Sequence, residues 1–96
     1  MAIVKSSWAG WRQGLHDQWT RDFEDGVKER MEQWAQSEGQ PDLRAEQFID
    51  AGSTVLVCAR GSTHGRPIWF RYTLEGPRIV DWNVHDDENE ARAAAG

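Results

Sequence analysis

The chain holds one cysteine in 96 residues, Cys58, set in the apolar run "TVLVCA". It cannot form a disulfide within the chain, so burial alone must hold the fold, as suits a reducing cytosol. Basic clusters are missing as well. Scattered Lys and Arg number 11 against 16 Asp and Glu, and the net charge of −5 excludes nucleic acid and anionic membranes as partners, because both need a patch that meets phosphates. Long apolar runs are absent too: the opening "MAIVKSSW" is too short for a signal segment or a membrane span. The chain also lacks a Gly-rich phosphate loop, a Ser-His-Asp order and an internal repeat. These absences lead us to expect a single cytoplasmic domain.

Tryptophan, by contrast, is abundant. The six tryptophans at 8, 11, 19, 34, 69 and 82 outnumber the three phenylalanines and single tyrosine together. A domain this small buries only about 60–65 % of the surface its unfolded chain exposes, and each large ring adds on the order of 150–250 Å² to that burial. The rings therefore either compensate for a small core or present a surface to a partner.

Apolar residues at Trp8, Trp11, Leu15, Trp19, Phe23, Val27, Met31 and Trp34 recur at spacings of 3 or 4. That is one helical stripe, with opposite charges such as Asp17 and Arg21 on the other faces. The Asp25-Gly26 step divides it into two helical segments, collinear or kinked at Gly26. The stripe is expected to cover one face of a sheet as core; alternatively its terminal rings, Trp8 and Trp11, form a homodimer interface or a ligand lid. After the helix stop "SEGQPD" the period changes to two. The segments "RAEQFIDAG", "STVLVCARG", "RPIWFRYTL" and "RIVDWNVH" read as strands, the loop "GSTHG" joining the second to the third and "EGPR" turning into the fourth. A four-stranded antiparallel meander is the simplest arrangement. "DDENEARAAAG" then opens with a capping box, Asp87 accepting from the first turn while Glu90 reaches back, ahead of a short helix.

The expected fold is therefore α+β in one domain: a helical region over 1–37, the four-stranded meander over 43–86 and a C-terminal helix over 87–95. From Gly26 onward, "GVKERMEQW", "EQFIDAG", "RYTLEGPRIVDWNVH" and "ENEARAAAG" resemble the SnoaL-like branch of the nuclear transport factor 2-like superfamily. The resemblance spans roughly the last 70 residues and implies a cone-like domain in which a curved sheet wraps around helices and leaves a pocket. It also implies a longer opening than this chain has, namely two helices and a strand before the Gly-Val helix, where only 25 residues precede Gly26. The opening is thus shortened or rebuilt, and the pocket is left open or completed by a second copy.

Members of that family include isomerases, cyclases and hydrolases of small hydrophobic molecules as well as proteins that only bind them, so the fold does not settle the function. In the enzymes the resemblance implies an inward acid two places beyond the tryptophan of the last strand. Here that place is Val84, which cannot transfer a proton. Strict alternation turns Val80, Trp82 and Val84 inward and Ile79, Asp81, Asn83 and His85 outward. A one-residue slip would exchange the faces, leaving Asp81 and His85 as catalytic candidates together with His16 on the first helix. A metal held by His85, Asp87 and Glu90, with His64 or His16, matches no ligand spacing, and neither metal nor cofactor is expected. Cys58 reads as a small apolar core residue.

The balance leans away from catalysis. The expected function is the binding of a small hydrophobic molecule in an apolar pocket lined by Trp19, Trp34, Phe70, Tyr72, Val80, Trp82 and Val84, in a homodimer. The alternatives are an isomerase, cyclase or hydrolase of such a molecule, or a structural or interaction protein without a cavity.

Overall fold

The structure is a computed structural model that describes residues 2–37, 43–61 and 67–95. The elements run α1 (Ala2–Gln13), α2 (His16–Thr20), α3 (Asp25–Ser37), β1 (Leu43–Ala51), β2 (Thr54–Gly61), β3 (Ile68–Glu75), β4 (Arg78–His85) and α4 (Glu88–Ala95). This is the α+β architecture read from the sequence: N-terminal helices on a four-stranded antiparallel sheet of order β1-β2-β3-β4, with a short C-terminal helix. The "SEGQPD" stop beyond Ser37 and most of the "GSTHG" loop, with His64, lie outside the described residues.

The helical stripe is broken twice, between Thr20 and Asp25, just ahead of the expected Asp25-Gly26 step, and at Gly14, where no break was expected. Gly26 sits inside the first turn of α3 with nothing near it, whereas Gly14 takes a left-handed φ of 72° and ends α1. There the Leu15 N–H donates to the Gly10 carbonyl at 2.8 Å and the Gly14 N–H to that of Trp11 at 3.1 Å, the Schellman pair of a helix stop. The chain folds back so that α2 lies against α1. Gly10 permits the close approach: a Cβ there would stand 2.6 Å from the Trp19 backbone nitrogen. Ser7 Oγ donates to the Trp19 carbonyl at 2.7 Å and Gln18 Nε2 to that of Ser6 at 3.1 Å, fixing the pair.

Between α2 and α3 the chain runs along the free edge of β4. The Ile79 N–H donates to the Asp22 carbonyl at 2.7 Å and the Glu24 N–H to the Ile79 carbonyl at 2.9 Å, making a one-residue parallel bridge at Phe23. Two helices and a bridge thus precede α3 where the sequence suggested a single Trp-rich helix.

The sheet has an apolar layer on each side. On the inner face Val55, Val57, Phe70, Tyr72, Ile79 and Trp82 pack against Val4 of α1 and Val27 and Met31 of α3. On the outer face Leu56, Cys58 and Trp69 pack beneath Ala91 of α4. Covered from both sides, β2 is buried without a break from Thr54 to Ala59.

Strict alternation fails in β4. Leu74 pairs with Ile79 and Thr73 with Asp81, so Val80 is the extra residue of a β-bulge. The bulge resets the phase, and Ile79 and Trp82 share the inner layer although three positions apart. The expectation that Val80 faces inward and Ile79 outward is therefore reversed at these two residues, while Asp81, Asn83 and His85 keep to the outer side. A second bulge, between Ala45 and Gln47, interrupts β1.

Candidate ligand site

The helices meet the sheet around a recess of aromatic rings. Trp8 stands edge-on to Phe70 with centroids 5.2 Å apart; Trp34 contacts Phe70 at 5.5 Å and Trp82 at 5.7 Å, and Phe70 stacks on Trp82 at 6.0 Å. Trp11 closes on Trp19 at 4.5 Å. Such edge-to-face pairs place the positive rim of one ring on the negative face of the next and add about 0.5–1.5 kcal/mol each beyond their burial.

At the centre lies a cavity of about 20 Å³ lined by Trp8, Trp11, Trp19, Trp34, Tyr72 and Trp82 among others. That is space for one water-sized group. Three indoles of this wall differ in their hydrogen bonding. Trp19 Nε1 donates to Met31 Sδ at 3.1 Å. Trp8 Nε1 and Trp82 Nε1 are shielded from solvent and have no hydrogen-bond partner among the described residues. Both stand near enough to the Tyr72 phenol to oppose the effect of burial on it, but outside hydrogen-bond geometry; burial dominates and pushes the phenol far up, so Tyr72 stays protonated.

Trp8 and Leu43 also wall a second space. Between α1 and β1 runs an open groove of about 760 Å³ with Trp8, Leu43, Ala45 and Phe48 as apolar surface and Lys5, Arg12 and Gln13 around them. Its volume is in the range of small-molecule sites. Lys5 lies over the Phe48 ring at 5.6 Å, and neither it nor Arg12 has a carboxylate partner among the described residues.

Of the expected pocket residues, Trp19, Trp34, Phe70, Tyr72 and Trp82 line the inner cavity. Val84 packs at the margin of the inner layer without lining it, and Val80 is carried off by the bulge. Trp8, Trp11 and Met31 join the lining, and their places in the stripe were the signal for it. Ser7, Leu43 and the groove residues other than Trp8 carried no such signal, because they meet only through the docking of α1 on β1.

The catalytic candidates lie elsewhere. His16 is exposed on α2, its Nε2 2.7 Å from Glu32 and its ring edge-on to Trp19. Asp81 accepts from Arg30 Nη2 at 2.7 Å and from Asn83 Nδ2 at 3.2 Å, with Arg71 at 3.8 Å. The Arg30 hydrogen bond above all holds its carboxyl below the usual Asp value, which favours a permanent anion over a proton donor. His85 is on the outer face, with Nδ1 3.0 Å from Glu90 and Nε2 facing Arg71 Nε at 3.4 Å. None of the three borders the cavity or the groove. Glu90 is thus engaged by His85, and only half of the capping box forms: Asp87 Oδ1 accepts from the N–H groups of Asn89 and Glu90 at 2.7 and 3.2 Å.

Among the described residues no cluster of three or more His, Cys, Asp or Glu is placed to hold a metal ion, and no helix is long and apolar enough to cross a membrane. Cys58 is buried, and burial, with the charge of Glu46 adding to it, pushes its thiol up. No known family model and no curated protein matches the chain.

Proposed function

We propose that the protein binds a small hydrophobic molecule, without catalysis, in the recess formed by the α1–β1 groove and the aromatic cavity behind it. The observation that carries this reading is the shared wall: Trp8 and Leu43 border both spaces, so a shift of α1 joins a groove of about 760 Å³ to the ring-lined interior. The inner cavity supplies the apolar ring wall that a hydrophobic ligand needs, and the groove adds Leu43, Ala45 and Phe48 beside the polar Lys5, Arg12 and Gln13. The positions of Asp81, His85 and His16 away from the recess favour binding over an isomerase, cyclase or hydrolase activity. The SnoaL-like resemblance is retained as part of the proposal. It is supported by the order of two helices, a bridge on β4, α3, a four-stranded meander and a final helix.

A second reading, a structural or interaction protein, has the inner volume in its favour, since about 20 Å³ admits no ligand until α1 moves. The homodimer belongs to the proposal with either reading. Its support is Leu15, a large apolar side chain 46 % exposed at the α1–α2 corner. A cytoplasmic location rests on the free Cys58.

Titration with a neutral apolar fluorophore, N-phenyl-1-naphthylamine, separates the two readings. Ligand binding gives a saturable rise in probe emission with quenching of tryptophan, and both are weakened in Trp8→Ala and Phe48→Ala. Emission that never saturates, or that ignores both substitutions, overturns ligand binding and leaves the interaction protein.

A further inference from the structure

Two of the six tryptophans bury an N–H group that donates to nothing described, which is an expensive way to fill a core. Trp82 is only 6 % exposed, yet among the described residues its Nε1 meets no acceptor in hydrogen-bond geometry, and neither does the Nε1 of Trp8 across the same cavity. An unpaired buried donor costs about 1–3 kcal/mol, and native interiors leave few of them. Packing does not require it. Phe70 fills its place between these indoles with a ring that has no donor, and Trp19 in the same wall satisfies its own N–H on Met31.

The Tyr72 hydroxyl lies close enough to both indoles for them to counter part of the effect of its burial, yet out of line for a hydrogen bond; Trp82 faces Tyr72 across β3 and β4, and Trp8 comes to it from α1. The cavity that these groups border, about 20 Å³, exceeds the roughly 10–15 Å³ that one oxygen-sized probe occupies. Among the described residues the lining contains no Lys, Arg or His. A carboxylate or phosphate would be buried there without a cation, at a cost of several kcal/mol. A neutral acceptor carries no such penalty.

We propose, resting on the ligand-binding reading above, that Trp8 and Trp82 are the recognition site for a carbonyl oxygen on an otherwise apolar, uncharged ligand. The oxygen enters the inner cavity and accepts from the two indoles, while the hydrocarbon body lies toward the groove, against Trp8 and Leu43. A ligand of the same shape without the oxygen leaves both donors unpaired and binds less well. A solvent water in the cavity would meet the same donors, and the test distinguishes it from a ligand.

The probes are cyclohexanone and methylenecyclohexane, which differ in shape only by replacement of C=O with C=CH₂. Each is titrated into the ¹⁵N-labelled full chain, and the six indole N–H resonances are followed, those of Trp8 and Trp82 being assigned from Trp8→Phe and Trp82→Phe. The expected result is that the ketone shifts these two resonances downfield, binds about tenfold more tightly than the alkene, and loses that preference in Trp82→Phe. Equal affinity and equal shifts for both probes mean that the oxygen is not received, as when water keeps the site; that overturns the inference and leaves the binding function standing. Binding of neither probe overturns the inference, and the fluorophore titration above decides the binding function separately. Should either variant fail to fold, the comparison of the two probes on the unaltered chain still decides.

Discussion

The indole of Trp8 meets the ring of Phe70 edge-on, with centroids 5.2 Å apart and planes inclined at 75°. Trp8 carries α1 onto β3 and borders both the inner cavity and the groove. Replacing it with alanine removes the wall the two spaces share and one of the contacts of α1 with the sheet, beside that of Val4. A fully buried Trp→Ala change costs about 3–5 kcal/mol; Trp8 is half-buried, so we expect Trp8→Ala to cost about 2–3 kcal/mol in urea unfolding. A loss below about 0.5 kcal/mol would show that α1 does not hold the recess closed.

Two glycines on the helices should respond to alanine with opposite signs. At Gly10 the new Cβ meets the Trp19 backbone nitrogen at 2.6 Å and Gln18 Cβ at 2.9 Å, and backbone cannot swing away. Gly10→Ala should therefore part α1 from α2 and lower stability by about 1–3 kcal/mol. At Gly26 nothing lies within 4 Å, so Gly26→Ala should raise it by about 0.5–1 kcal/mol through helix propensity. Since 1 kcal/mol moves the midpoint of a domain this size by roughly 4–8 °C, thermal melts would show two shifts of opposite direction.

How far this arrangement could be read from the sequence depended on whether periodicity carried it. The spacings of 3 and 4 and the alternation after residue 42 gave the helices, the meander and most of the ring wall, including Trp19, Trp34 and Trp82, because burial imposes those periods directly. Two events without a periodic signature were missed. The stripe from Trp8 to Trp34 keeps its spacing through Gly14, so the fold-back there depended on the contact of Gly10 with Trp19, which joins two separate helices and leaves no mark on the spacing. The bulge at Val80 likewise reflects the pairing of Leu74 with Ile79 and the bridge from Phe23, neither visible along the strand itself. The groove was hidden for the same reason, being made of α1 and β1 residues about 40 positions apart.

Acid should weaken the tie between α3 and β4. The folded-state pKa of Asp81 is depressed, chiefly by the Arg30 hydrogen bond, so the stabilisation is present above the ordinary Asp value of 3.8 and is lost as the pH falls below it. Both side chains are well exposed, Arg30 at 51 % and Asp81 at 39 %, and screening limits the effect to about 1 kcal/mol or less. Arg30→Gln and Asp81→Asn should each lower stability at pH 7 by that small amount and flatten the decline between pH 7 and the acid limb. An unchanged pH profile in both variants would mean that the ion pair does not persist in solution.

The outer layer offers a test that reads position through chemistry. Asp87 caps α4 by accepting from the N–H groups of Asn89 and Glu90, and α4 in turn lays Ala91 over Cys58, Leu56 and Trp69. Removing an N-cap carboxylate costs about 1 kcal/mol, and an eight-residue helix has little propensity of its own to resist fraying. Asp87→Ala should therefore open α4 more often than it unfolds the domain, and Cys58 should react faster with a thiol reagent, by about fivefold for a 1 kcal/mol cap. Because burial pushes the thiol up, the rate should also climb with pH in both proteins, steeply enough that the comparison must be made at one pH. If Asp87→Ala left the labelling rate unchanged while Gly10→Ala raised it, Cys58 would be reached by global unfolding and not through α4.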